Sequence, residues 1–356
     1  MNEIINFLQK LIKCQTTEDR TGEKKKCLRI IEKKFSRDFF IKRYSFKNRP
    51  ILVLSNAKNK KVDFILAGHI DVVPAKGENF KLKINGSKMY GRGVFDMKAS
   101  LAASIFAIRD YLRKNNNLKV AIFITSDEEI DGLSTKYLVE KMGYKANFAI
   151  LPDGGSSTEI VIYQKGFLQI KVTILGKSAH ASKPWQANDP IKAAVFLYKK
   201  LLTKFPNPKD KDDWKTSLNL TKIIGGEAAN QTAREVCLYF DIRYVNNRDK
   251  DGIIKEIRNI LKDGYRLETL AENGPLNVSG KNFYLRRLED SVKKVTKKKA
   301  KLVRECGTSD AVFFTDNKIP AVLFRPDGGG DHQEKEWVNK ASLKCFYDVL
   351  LDFLGG

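Results

Sequence analysis

Val62-Asp63-Phe64-Ile65-Leu66-Ala67-Gly68-His69-Ile70-Asp71-Val72-Val73-Pro74 is the stretch on which the fold turns. A short apolar run that gives way to glycine and then to polar groups reads as a buried strand, here over 62–70, with its side chains delivered to a sheet end. The same pattern recurs downstream. Residues 119–125 form an apolar strand that stops at Ser126-Asp127-Glu128-Glu129, and 147–152 form another that stops at Asp153-Gly154-Gly155. Residues 51–56 read as a further strand. Helical spacing over 97–114 and 132–141 fills the intervals, and the N-terminal Ile4, Ile5, Phe7, Leu8, Leu11 and Ile12 mark an amphipathic helix. Strand–helix alternation of this kind predicts an α/β domain with a central, mostly parallel sheet.

The style changes near residue 165. Residues 167–175 alternate apolar and polar with period two, as a strand with one exposed face does. A helix at 190–204, strands at 217–224 and 235–244, a helix at 249–262 and a strand at 265–270 follow. That order is the split β-α-β arrangement of a ferredoxin-like α+β domain. After Gly274-Pro275 the α/β style returns, with helices at 281–296, 309–316 and 340–353 and strands at 301–305 and 320–325. The expected organisation is an α/β domain of residues 1–165 and 276–356, interrupted by an inserted domain of residues 166–275.

Composition narrows the classes. The chain has 356 residues, 42% of them hydrophobic, which suffices for two cores. No stretch approaches the roughly 18–20 apolar residues of a membrane span, and the N-terminus lacks the pattern of a signal peptide. Cys14, Cys27, Cys237, Cys306 and Cys345 are scattered and contain no Cys-x-x-Cys pair. A disulfide framework is therefore not expected, and a reducing cytoplasm fits best. The net charge of +23 raises nucleic-acid binding. Its densest runs, Lys24-Lys25-Lys26 and Lys297-Lys298-Lys299, carry no interleaved aromatic residues of the kind a stacking platform uses. We expect neither a nucleic-acid nor a membrane partner, and a surface field that attracts anionic substrates.

The chain has only three histidines, His69, His180 and His332, and each stands beyond an apolar strand in a cluster of small or acidic residues. His69 and Asp71, two apart in extended chain, point to the same side. A carboxylate there can hold the second N–H of a metal-binding imidazole. Asp96 follows Gly91-Arg92-Gly93, a tight turn ahead of a helix, and an N-cap is its other reading. Asp127, Glu128 and Glu129 stand together after a buried strand, an arrangement that repulsion disfavours unless a cation compensates. One carboxylate on metal and a neighbour free as a base would account for it, as would the acidic first turn of the next helix. Asp153 and the loop Gly328-Gly329-Gly330-Asp331-His332 complete the set, with a plain turn and a bare loop histidine as the alternatives. His69, Glu128, Glu129, Asp153 and His332 all fall just beyond carboxyl ends of predicted strands, where open α/β sheets hold their sites. Imidazoles and carboxylates are ligands suited to zinc, manganese or cobalt.

His-x-Asp at 69–71, Gly-Arg-Gly-x-x-Asp-Met-Lys at 91–98, the Glu128-Glu129 pair, Gly-x-x-Ala-His at 176–180 and the terminal His332 occur in one order. In that order the chain resembles the co-catalytic zinc peptidase and deacylase family, which includes succinyl-diaminopimelate desuccinylase, acetylornithine deacetylase, glutamate carboxypeptidase and carnosinase-type dipeptidases. The resemblance spans nearly the whole chain. It implies a catalytic α/β domain, an inserted lid and dimerisation domain, and a homodimer. It implies two divalent ions, zinc first and cobalt or manganese after it. His69, Asp96 and Asp153 would hold one ion and Asp96, Glu129 and His332 the other, with a cis peptide after Asp96. Asp71 would orient His69, Glu128 would be the general base, and His180 would reach the substrate carbonyl. Asn230, Arg243 and the Gly307-Thr308-Ser309 loop would bind substrate, although a strand-end ion pair is the other reading of Arg243. The implied substrate is an N-acyl amino acid or a short peptide. One departure bears on it: Asp153 stands where the desuccinylases carry Glu, which is closer to the family's aminopeptidases and dipeptidases. A non-catalytic metal-binding protein on the same fold is the reading from a different class.

Overall fold

The computed structural model describes residues 1–115, 117–210 and 212–355, and the chain divides into two compact units. The first comprises residues 1–163, 277–304 and 309–356, and the second residues 164–276 and 305–308.

The first unit is built on one mixed sheet. Its strands run in the spatial order Phe40–Phe46, Arg49–Ser55, Val120–Thr125, Phe64–His69, Phe148–Leu151, Ala321–Leu323, Glu159–Gln164 and Leu276–Asn277, with Lys301–Glu305 also paired to Glu159–Gln164. The four central strands, 120–125, 64–69, 148–151 and 321–323, are mutually parallel. Almost every residue in them is buried. A strand covered on both faces cannot alternate, which is why each reads as an unbroken apolar run. The register sets His69 opposite Thr125 and Leu151 opposite Leu323. The segments that follow these strands therefore leave the sheet at one end.

Helices Asn2–Ile12, Thr21–Phe35, Ala99–Lys114, Phe283–Thr296 and Lys340–Gly355 supply most of the remaining core. Two of the expected helices start late for reasons visible in the backbone. The helix expected from 97 begins as regular α-helix at Ala99, because Asp96 and Met97 have non-helical backbone and the peptide between them is cis. The helix expected from 132 begins at Leu133, after Gly132 in the left-handed region (φ 61°), and widens into π-turns over 137–141. A helix at 21–35 and a strand, Phe40–Phe46, which makes a hairpin with the expected strand at Arg49–Ser55, come in addition to the expected elements. A small antiparallel sheet, in the order Gly328–Gly329, Trp337–Asn339, Lys88–Tyr90 and Lys83–Asn85, joins the two ends of this unit's sequence.

The second unit is a four-stranded antiparallel sheet, in the order Ser217–Gly225, Glu235–Tyr244, Gly166–Leu175 and Arg266–Asn273. Helices Pro190–Lys204 and Asn247–Ile260 connect the strands, giving the ferredoxin-like sequence of elements. Its core gathers Leu168, Ile170, Val172 and Ile174 from the strand Gly166–Leu175, Phe240 and Ile242 from the strand Glu235–Tyr244, and Leu197, Leu201 and Ile257 from the helices. Asp189 caps the first helix by accepting the Ile191 and Lys192 N–H groups. Among the described residues no helix is long and apolar enough to cross a membrane.

Candidate metal centre

The centre lies where the four parallel strands end. His69 is the last residue of its strand and is 1% exposed. The strand must come close to Met97 to place it: a Cβ on Gly68 would stand 2.5 Å from Met97 Cε. His69 Nδ1 lies 3.1 Å from the Asp71 carbonyl oxygen and 3.5 Å from Asp71 Oδ1. With the ring proton on Nδ1, donated to the Asp71 carbonyl oxygen, Nε2 is left as a lone-pair donor. Asp71 Oδ2 accepts the Glu129 N–H at 3.0 Å, so this one carboxylate braces two neighbouring segments.

Two groups of ligand-type atoms converge here. His69, Asp96 and Asp153 form one and Asp96, Glu129 and His332 the other, each with its atoms within 4.8 Å of one another. Asp96 belongs to both. Its Oδ1 is 3.1 Å from His69 Nε2, and its Oδ2 is 3.1 Å from His332 Nε2. His332 Nε2 is also 3.0 Å from Glu129 Oε2. His332 takes a left-handed backbone (φ 60°), as does Gly330 (φ 79°). Asp153 Oδ2 and Glu128 Oε2 stand 3.8 and 3.9 Å from His69 Nε2, yet Glu128 belongs to neither group. The structural alternatives for Asp96, Glu128 and Glu129 fail on position. Asp96 does not cap the helix that begins at Ala99, and Glu128 and Glu129 precede the first turn that begins at Leu133.

The electrostatics fit divalent cations. Burial, with the Asp96 charge behind it, pushes the Glu129 carboxyl up to about 7. Burial raises Glu128 and Asp153 well above the usual carboxylate range, with neighbouring carboxylates adding to the shift. Asp96 moves the other way: its hydrogen bond to His332 and the proximity of His69 outweigh burial and hold it down. The Asp96 hydrogen bond, foremost, raises His332 to about 9. His69 Nε2 and Asp96 Oδ1 are buried without a hydrogen-bond partner. A cluster this rich in buried carboxylate, with an imidazole nitrogen and a carboxylate oxygen left unsatisfied, is the donor set that a pair of divalent ions would satisfy.

Other residues support the ligands from outside both groups. Asp127 accepts from Arg49 Nη1 and from the Ser134 N–H, both at 3.0 Å, and its carbonyl oxygen takes the Gly132 N–H. That turn holds Glu128 and Glu129 out beyond their strand. Arg325 follows the strand Ala321–Leu323, lies over the Phe95 ring at 3.8 Å and pairs with Asp331. A charged residue that ends the apolar run 319–324 is its one signal in the sequence. A cavity of about 740 Å3 opens beside Asp71 and Glu129, lined by Gln15, Arg20, Val73 and Phe80 among others. That is a small-molecule volume.

The remaining expected residues divide between the two units. His180, Asn230, Arg243, Gly307 and Thr308 belong to the second unit and Ser309 to the first. Within the second unit, His180 bridges to Gln231 and the Ala181 N–H donates to the Asn230 carbonyl. His180 is exposed, and its Nδ1 accepts the Ser182 N–H at 3.2 Å, which leaves the proton on Nε2. Arg243 donates through Nε and Nη2 to Asp241 at 2.7 and 3.0 Å, the strand-end pair, and Nη1 reaches Thr308 Oγ1 at 3.5 Å.

The pattern of peptidase family M20/M25/M40 matches residues 65–355. Succinyl-diaminopimelate desuccinylase of Rickettsia bellii is 27% identical over 321 residues, which covers 83% of this chain and 82% of that protein. The crystal structure of the aminopeptidase PepT from Bacillus cereus superposes with a TM-score of 0.82 at 20% identity, covering 99% of this chain and 97% of that one. The YXEP protein of Bacillus subtilis, described as a dinuclear metal-binding peptidase, does so with a TM-score of 0.74 at 13% identity, covering 99% and 98%.

Proposed function

The chain belongs to peptidase family M20/M25/M40, and from that premise we propose a two-zinc amidohydrolase that releases the acyl group from an N-acyl amino acid. It is a metal-dependent hydrolase of amide or peptide bonds. The observation that carries the finer reading is the pair of ligand groups sharing Asp96, with Glu128 beside them and in neither. His69, Asp96 and Asp153 would hold one ion, and Asp96, Glu129 and His332 the other. When bound, such ions polarise a carbonyl and make a water acidic enough to ionise near neutral pH. Glu128 would take a proton from the attacking water and return it to the leaving nitrogen, a double task suited to a carboxyl raised by burial. Asp71 keeps the His69 ring oriented through its carbonyl oxygen. On the motif resemblance alone, His180 is assigned to the substrate carbonyl and Asn230, Arg243, Gly307, Thr308 and Ser309 to the rest of the substrate. The +23 charge favours substrates with a free carboxylate.

A dipeptidase or aminopeptidase is the second reading, favoured by Asp153 in place of Glu. One experiment separates them: a panel of N-succinyl and N-acetyl amino acids beside dipeptides, run on chelated protein resupplied with zinc, cobalt or manganese. Deacylase activity that vanishes with the ions and returns with zinc is the expected result. Faster turnover of dipeptides selects the second reading. Two bound ions with no amide cleaved would leave only a metal-binding protein. Repeating the panel with His180→Ala should lower kcat, and an unchanged kcat removes His180 from the reaction.

The second unit also supports a homodimer. Ile191 (45% exposed), Val195 (50%) and Phe196 (58%) on its first helix, and Ile223 (60%) and Ile224 (47%) on its edge strand, leave large apolar groups in water, and Ile191, Val195 and Ile223 line one groove. Patches of this kind mark association surfaces. Sedimentation at micromolar concentration should give a dimer, with monomer for Ile223→Glu. A wild-type monomer would remove the assignment.

A further inference from the structure

Glu336 is a carboxylate 2% exposed that belongs to neither ligand group. The small sheet that pairs Trp337–Asn339 with Lys88–Tyr90 carries it to the segment leading into Asp96. There its two oxygens are fully engaged. Oε2 accepts Arg92 Nη1 at 2.6 Å and the Gly93 N–H at 2.9 Å. Oε1 accepts the Phe95 N–H at 2.7 Å and the Asp96 N–H at 3.1 Å. The last of these donors is the backbone of the residue shared between the two ligand groups. Arg92 extends the fastening, since its Nη2 donates to the Gln333 carbonyl at 3.0 Å, one residue beyond His332. The Gly91 N–H donates to the Glu336 carbonyl oxygen at 3.3 Å and closes the loop.

These bonds join the two segments that bring Asp96 and His332 together from positions 236 residues apart. Asp96 and His332 are held by loops, and a loop fixes a ligand only as well as its own backbone is fixed. We propose that Glu336, acting with Arg92, is a positioning residue for the metal centre: it clamps the Asp96 backbone against the His332 loop and thereby sets the spacing of two ligands to one ion. The proposal rests on reading this cluster as a metal centre. Glu336 hydrogen-bonds to none of the ligand atoms, so its influence passes through the backbone of Asp96 and, by way of Arg92, the carbonyl of Gln333.

Glu336→Gln tests it, because each oxygen takes two donors. The amide nitrogen must face either Phe95 and Asp96 or Arg92 and Gly93, so two donors lose their acceptor in either orientation. The milder Arg92→Lys keeps a cation beside Glu336 and gives up the forked reach to Gln333. Both are titrated as metal-free protein with zinc by calorimetry, and activity is then followed against zinc concentration. The expected result is a loss of about 10- to 100-fold in affinity for at least one of the two ions, smaller for Arg92→Lys. The activation curve should shift to higher zinc while kcat at saturation stays within about threefold of wild type. A lower melting temperature with unchanged zinc affinities overturns the proposal, because a purely structural clamp would give that. Should Glu336→Gln not fold, unchanged zinc affinity in Arg92→Lys overturns it equally. Wild-type protein that binds no zinc would instead refute the metal-centre reading, an outcome visible before any variant is made.

Discussion

Glu128→Gln should retain both ions and lose about a thousandfold in kcat, within the range of about 10²–10⁴ that a general base contributes. The substitution keeps the shape of the side chain and removes only its capacity to take a proton. Glu128 suits that role by position. Its Oε2 lies 3.9 Å from His69 Nε2, at the edge of the ligand cluster and outside both groups. Burial first, and then the neighbouring Asp153 charge, raise its carboxyl well above the ordinary range against the opposing pull of His69. Metal content by elemental analysis, measured beside steady-state kinetics at saturating zinc, separates the alternatives. Loss of one ion would make Glu128 a ligand. A kcat within about threefold of wild type, with both ions kept, would sink the base assignment.

The parts of this centre that sequence reveals are those set by the sheet. Phe64–His69, Val120–Thr125 and Phe148–Leu151 are buried throughout and almost wholly apolar because both faces are covered, so the polar residues at and just beyond their ends are conspicuous. His69, Glu128, Glu129 and Asp153 stand out for that reason. What sequence hides falls into two kinds. One is local masking. The helix Thr21–Phe35 buries Cys27, Leu28, Ile31 and Phe35, but lysines crowd the remaining positions and blur the period. In the same way the outer strand Phe40–Phe46, paired on one side only, carries Lys42, Arg43 and Ser45. The other is distance along the chain. Glu336 and Arg92 form a buried pair across 244 residues, and Arg49 braces Asp127 across 78. Neither residue sits in a pattern that announces its partner. The late start of the helix at Ala99 belongs to this second kind, since the backbone at Asp96 is fixed by donors to Glu336.

Asp96→Asn should be the most damaging single change in the ligand set. Each carboxylate oxygen faces a different half of the centre: Oδ1 lies 3.1 Å from His69 Nε2 and Oδ2 3.1 Å from His332 Nε2. An asparagine presents one oxygen and one NH2, and the NH2 cannot donate a lone pair to a cation. Whichever way the amide turns, one half-site loses a ligand, and the other keeps a neutral one where a charge stood. Affinity for both ions should therefore fall, one of them by more than about a hundredfold, beyond the effect of disturbing a supporting residue. Dialysed protein should carry at most one ion per chain. Turnover should drop by at least about a thousandfold, equivalent to roughly 4 kcal/mol of lost transition-state stabilisation. His332→Ala provides the contrast. His332 belongs to one group only, so that variant should keep one ion with nearly wild-type affinity. If Asp96→Asn and His332→Ala lose metal to the same extent, or if Asp96→Asn retains two ions, Asp96 does not bridge and the two groups are separate sites.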